Sequence, residues 1–162
     1  PCRGGGPLPS CGREAGRPTC SVRAVVAPTC VFCRIGAGDE PVVVVRDDAA
    51  TLAFMDVAPA TEGHVLVIPK RHSRNLLDIE PADLSAVALA AQEVARWQRE
   101  RLGCAGVTVY QANEPAGFQT VFHFHMHVVP RYPGDAIVNA WRDPKRAEQD
   151  ELERVARRLR GI

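Results

Sequence analysis

From Pro28 onward the chain alternates short apolar runs with polar breaks. Val42–Val45 is a β-branched run closed by Arg46, Asp47 and Asp48, which predicts a strand and a turn. Leu52–Met55 and Val65–Ile68 read as two further strands. The second of these is stopped by Pro69, which has no N–H to continue a ladder. Over Asp83–Leu102 the period changes: Leu84, Val87, Ala88, Ala91, Val94 and Ala95 recur at three and four, the buried stripe of a helix. Pro81 stands at its entrance and Gly103 just past its end, as helix punctuation requires. Val107–Tyr110 and Phe122–Val129 predict two more strands. A polar stretch containing Trp141 follows Pro130, and a charged helix is expected over about 145–160. The whole predicts an α+β fold: a five-stranded antiparallel sheet with one long helix and a C-terminal helix.

The first 28 residues do not share this patterning. They are rich in Gly, Pro and Arg without helical or strand period, and Cys2, Cys11 and Cys20 recur every nine residues with nothing else repeating around them. Such a segment buries too little to offset its ordering entropy. Residues 1–28 are therefore expected to be a disordered extension, and 29–162 a single domain. The 162 residues are 46% hydrophobic, enough for one core. Net charge is +1, so bulk attraction to nucleic acid or anionic membrane is not indicated. No apolar run has the ~18 residues of a membrane span. Val22–Ala27 is too short, and too broken by Arg23, for a secretory signal. A cytoplasmic location is expected, with the cysteines as thiols or metal ligands.

Three of the five histidines, His123, His125 and His127, fall within five positions. On an extended strand they share one face at about 6.6 Å intervals, while Phe124, Met126 and Val128 turn to the core. Crowded imidazoles disfavour one another's protonation, a grouping that suits a metal or a phosphate. Two chemistries compete: a multi-histidine metal site, or a nucleophilic histidine working on phosphorus. Asn113, and Gly117, Gln119 and Thr120 in the loop ahead of the histidines, offer close backbone approach and neutral donors. That favours phosphate. No acidic residue stands among the histidines to complete a two-His-one-carboxylate centre.

His123-Phe-His-Met-His-Val-Val129 resembles the motif of the histidine triad, or HIT, family. It is supported upstream by Phe54-Met55-Asp56, by Gly63–Lys70, and by Gln119–Phe122, in the right order between about residues 30 and 131. The resemblance is to the bacterial, zinc-containing nucleotide-binding branch. It implies a nucleotidyl hydrolase or transferase acting on the α-phosphate of purine nucleotide derivatives, either a phosphoramidate or an adenylate. In that reading His125 attacks phosphorus and His127 contacts the phosphate or protonates the departing group. Asn113, Gln119 and Thr120 hold phosphate oxygens, Asp56 binds the ribose hydroxyls, and Phe32, Ile35 and Val57 wall the base. Alternatives within the resemblance are dinucleoside polyphosphate cleavage or phosphorolysis, and a nucleotide-binding regulatory module with little turnover. Glu40, where relatives often carry an apolar residue, and the absence of a double glycine before Gln119 depart from the family pattern. A homodimer is implied, formed through the long helix and a strand that extends the sheet.

Cys30-Val31-Phe32-Cys33 is a C-x-x-C pair that fits metal, redox or packing. A structural zinc site needs four ligands. The resemblance supplies them as Cys30, Cys33, His72 and His123, with Zn2+ structural because a closed site leaves no position for water. His64 is left between a structural and an active-site role. Trp141 either closes over the site or packs, Cys104 reads as small core, and the arginines of the last helix read as a solvated face.

Overall fold

The computed structural model describes residues 30–137 together with Val155 and Leu159. The extension expected over 1–28, Trp141 and nearly all of the helix expected over 145–160 lie outside the described residues. Of that helix, only Val155 and Leu159 are described, both helical and exposed.

Five strands form one sheet: β1 (Val44–Asp47), β2 (Thr51–Met55), β3 (Val65–Pro69), β4 (Gly106–Tyr110) and β5 (Met126–Arg131). Their order is β1-β2-β3-β5-β4, antiparallel throughout. The α+β architecture expected from the patterning is what the chain adopts. β3 is buried along its whole length, consistent with its unbroken apolar sequence at the sheet centre. β1 begins two residues later than the Val42–Val45 run, and its register with β2 shifts between Val44 and Arg46.

The long helix, α2, spans Pro81–Leu102, with Pro81 in the first turn and Gly103 in the left-handed conformation at its C-cap. Its buried stripe is Val87, Ala90, Ala91, Val94 and Gln98. That face is rotated slightly from the expected one, so Ala88 is exposed. Val87, Ala90, Ala91 and Val94 join Ala53, Val65, Val67, Phe124 and Val128 in the main core. A second core, on the other side of the sheet, holds Phe32, Ile35, Leu52, Phe54, Leu66 and Ile68.

That second core is built on a helix the patterning did not foresee, α1 (Val31–Ala37), capped by left-handed Gly38. Its seven residues bury Phe32, Cys33 and Ile35. β5 also starts later than expected, at Met126. His123 and His125 therefore lie in the bent segment just ahead of the strand, and only His127 is in the ladder, opposite Leu66 and Tyr110. Phe124 is buried, with its N–H donating to the Ser73 carbonyl at 2.6 Å rather than to a strand. Among the described residues no helix is long and apolar enough to cross a membrane.

Candidate functional site

The ring nitrogens of the three clustered histidines can be assigned from their partners, because a backbone carbonyl only accepts and a backbone N–H only donates. His125 Nδ1 is 2.7 Å from the His123 carbonyl, so Nδ1 carries the proton and Nε2 keeps its lone pair. His123 Nε2 is 2.9 Å from the Pro69 carbonyl, which leaves its Nδ1 lone pair pointing away. The Ala60 N–H donates to His64 Nδ1 at 3.2 Å. His64 Nε2 therefore bears the proton and donates it to His127 Nδ1 at 3.0 Å. His127 in turn carries its proton on Nε2.

Burial reinforces this neutral state. His123 and His127 are each pushed down to about 4, first by desolvation and then by neighbouring imidazoles. Burial also lowers His125, against the opposing pull of its hydrogen bond to the His123 carbonyl and of the Asp56 charge. His64 is lowered by burial despite Asp56 nearby. The ring of Tyr110 stacks on His127 at 4.2 Å and 7°, and Phe32 sets its edge against His125 at 5.3 Å and 87°.

His125 and His127 line a pocket of about 440 Å³. Its apolar wall is Phe32, Ile35, Val42, Phe54 and Leu66, and Asp56, Val57, Glu40 and Thr120 complete it. Every base- and ribose-contact residue expected from the sequence, Phe32, Ile35, Asp56 and Val57, is thus brought to one cavity. Glu40 is held there by Arg34 at 2.8 Å.

The expected phosphate loop is arranged differently. Gln119 is buried and its amide is committed to backbone: Oε1 accepts from the Glu114 N–H at 2.9 Å, and Nε2 donates to the carbonyls of Arg74, in the segment after β3, and Val121 at 2.6 and 3.0 Å. Asn113 Oδ1 accepts from the Leu76 N–H at 2.8 Å. Arg74 pairs with Glu114 at 2.7 Å, and Glu114 and Phe118 both take positive φ. Gln119 and Asn113 thus brace the turn, while Thr120 is exposed at the pocket's rim.

One neighbour is not legible along the chain: no acidic residue stands among the histidines in sequence, yet Asp56 Oδ2 lies 3.5 Å from His64 Nδ1. The cause is sheet register. Met55 pairs with Val65, and the Asp56 N–H donates to the His64 carbonyl at 3.1 Å, so two residues flanking adjacent strands meet beside His127. His64 itself is buried and reaches the pocket only through its contact with His127.

A separate cluster gathers Cys30, Cys33, His72 and His123, with one ligand atom from each within 4.8 Å of the others. His123 Nδ1 lies 3.5 and 3.6 Å from the Cys30 and Cys33 sulfurs, and His72 Nδ1 lies 3.3 Å from Cys33 Sγ. Two thiols and two imidazoles, Cys33 and His123 buried and Cys30 and His72 half-buried, form a donor set suited to Zn2+. The Pro69 carbonyl fixes the His123 tautomer with Nδ1 toward the sulfurs, as a metal-facing histidine requires.

Comparison with known proteins agrees with this architecture. The HIT domain family model matches residues 37–134. An uncharacterized HIT-like protein of Mycobacterium tuberculosis is 38% identical over 132 residues, covering 78% of this chain and 92% of its own length. A Zn-bound histidine triad family protein from Mycobacterium smegmatis superposes with a TM-score of 0.65 at 38% identity, covering 80% of this chain and 91% of that one. A histidine triad nucleotide-binding protein from Candida albicans superposes with a TM-score of 0.73 at 26% identity, covering 82% of this chain and 96% of that one.

Proposed function

The chain belongs to the HIT family, and from that premise we propose that it is a nucleotidyl hydrolase or transferase acting at the α-phosphate of purine nucleotide derivatives. The observation that carries the reading is the complementary protonation of two rings in one pocket: His125 Nε2 bears a lone pair and His127 Nε2 a proton. A nucleotide seated with its base against Phe32, Ile35 and Val57 and its ribose hydroxyls on Asp56 places the α-phosphorus at His125. Nε2 attacks, the N–P bond forms, and the bond to the leaving group breaks. The His127 Nε2–H donates a hydrogen bond to the departing atom, which takes up its proton from solvent. While His125 carries the nucleotidyl group, its Nδ1–H stays on the His123 carbonyl, which disperses the imidazolium charge. Water then attacks phosphorus and releases a proton to solvent, matching the one the leaving group took up. The N–P bond breaks and the monophosphate leaves. Thr120 at the rim is the side chain best placed to donate to a phosphate oxygen. Gln119 and Asn113 serve by fixing the loop that carries it.

The residues Cys30, Cys33, His72 and His123 would hold a structural Zn2+. Bound there, the ion would pin α1, and with it Phe32 and Ile35, to the histidine segment; no open position would be left for chemistry. β4 lies at the sheet's edge with Val109 and Tyr110 exposed, which supports a second copy of the chain extending the sheet.

The test is turnover of adenosine and guanosine phosphoramidates, an acyl-adenylate and a diadenosine polyphosphate by wild type and His125→Gly. Wild type should release monophosphate on at least one class, with the variant slower by on the order of 10³-fold or more. Equal rates, or an acid-labile adduct trapped on a residue other than His125, would overturn it.

A further inference from the structure

Of the ionisable side chains that line the pocket, Glu40 alone has no part in the proposed reaction. α1 sets its place. Phe32, in the first turn of that helix, meets His125, and Glu40 follows Gly38, which caps the other end. The seven helical residues between span about 10 Å at ~1.5 Å each, so the carboxylate stands well along the apolar wall from the reacting ring. Pro41 and Val42 line the pocket beside it. Both contacts from Arg34 fall on one carboxylate oxygen: Nε at 2.9 Å and Nη2 at 2.8 Å reach Oε1. Oε2 accepts no hydrogen bond among the described residues. The pocket therefore carries an acceptor with one oxygen anchored and the other unclaimed.

We propose that Glu40 reads the Watson–Crick edge of the base and makes guanine nucleotides the preferred ligands of this pocket. The inference rests on the nucleotide reading above and narrows it. An ionised carboxylate can only accept. Guanine presents N1–H and the N2 amine side by side, two donors for one carboxylate. Adenine presents the N1 lone pair at the same place, so a carboxylate there faces another acceptor. The apolar wall of Phe32, Ile35 and Val57 contacts the faces of a base, which are alike in the two purines. Strong discrimination needs a polar group at the edge, because the wrong base then leaves that group unpaired. Glu40 is that group, and Arg34 keeps its charge compensated and its orientation fixed.

The purified full chain is titrated with GMP and with AMP by isothermal calorimetry, as wild type and as Glu40→Gln. Wild type should bind GMP about tenfold or more tighter than AMP. In Glu40→Gln the amide oxygen stays on Arg34 and the NH2 faces the base. That donor suits adenine N1 and opposes guanine N1–H, so the affinity ratio should fall to about one or below. Glu40→Ala, which removes the acceptor altogether, should also abolish the preference; circular dichroism checks the fold of both variants. General damage to the pocket weakens both ligands alike and leaves the ratio unchanged, so the ratio separates edge recognition from packing. Equal affinities in wild type overturn the selection by Glu40 while leaving the nucleotide reading intact. A GMP preference that survives in either folded variant overturns it too. Binding of neither monophosphate overturns the nucleotide reading itself, and the selection with it.

Discussion

A carbonyl oxygen has lone pairs and no proton, and at His125 that decides which ring nitrogen can react. The His123 carbonyl claims the Nδ1 proton, so the nucleophilic lone pair is on Nε2 by construction. Desolvation holds the ring below its ordinary value, so the lone pair survives into mildly acid solution. The acid limb of kcat/KM is therefore expected below the ordinary histidine value of about 6.5, and a pH–rate profile checks it. Stability follows the same sign. His127 titrates near 4 in the folded chain and near 6.5 when unfolded. The unfolded state thus binds more protons throughout that window, and stability, complete above it, falls as pH drops through it. One such group costs on the order of 1 kcal/mol per pH unit there. Thermal melts should show Tm lower at about pH 5 than at about pH 7.5, and His127→Asn should flatten the dependence. A Tm insensitive to pH across that range would contradict the neutral, buried imidazole.

At the scale of elements, strand register does what spacing along the chain could not show. The three histidines were legible because their alternation is written within five residues. Asp56, eight residues from His64 and far from His127, was legible only as a ribose ligand implied by resemblance. Its place beside both imidazoles comes from β2, β3 and β5 pairing in order, with Met55 on Val65 and Leu66 on His127. Gln119 illustrates the converse: a polar residue in a Gly-containing loop reads as a ligand donor, but its partners are carbonyls at Arg74 and Val121, the first brought up from the distant segment after β3 only by folding. The turn between β2 and β3 carries its own constraint at Gly63, whose φ is +86° and where a Cβ would stand 2.4 Å from Leu102 Cδ1 and 3.2 Å from Pro130 Cγ. Gly63→Ala is expected to destabilise by about 1–3 kcal/mol, read by denaturant unfolding. The Leu102 methyl is the end of a half-exposed side chain, so adding Leu102→Ala should recover the steric part and leave the backbone part. Full recovery would place the whole cost in the clash. On the same helix, Gln98 donates to the Gly63 and Val128 carbonyls at 2.9 Å each. Gln98→Ala removes this donor from the buried Val128 carbonyl and the half-buried Gly63 carbonyl and opens a void, and should cost about 2–4 kcal/mol in the same measurement.

Across the whole molecule, the apolar pocket wall and the histidine segment are separate pieces of chain that must be held in register. α1 is seven residues long, too short to be stable alone, and its composition of Val, Phe, Cys, Arg, Ile, Gly and Ala contains no helical period long enough to be seen in the sequence. What fixes it is tertiary: Phe32 edges onto Phe54, His123 and His125, and Cys30 and Cys33 converge with His72 and His123. The C-x-x-C pair was visible as a metal knuckle, whereas the helix it opens was not, because ligand spacing is local and the packing that orders α1 is not. If Zn2+ occupies the tetrad, Cys33→Ser removes one ligand of four and loosens α1 from the histidine segment, while the His125 and His127 hydrogen bonds remain. The variant should contain well under one zinc per chain by elemental analysis, melt several degrees lower, and lose nucleotide affinity more than turnover at saturating substrate, because in the proposed reaction Phe32 and Ile35 bind the base while the rings do the chemistry. A variant that loses its zinc yet keeps wild-type Tm and KM would show that the packing of Phe32 and Ile35 suffices to hold the wall, and that the metal is not what joins the two halves of the site.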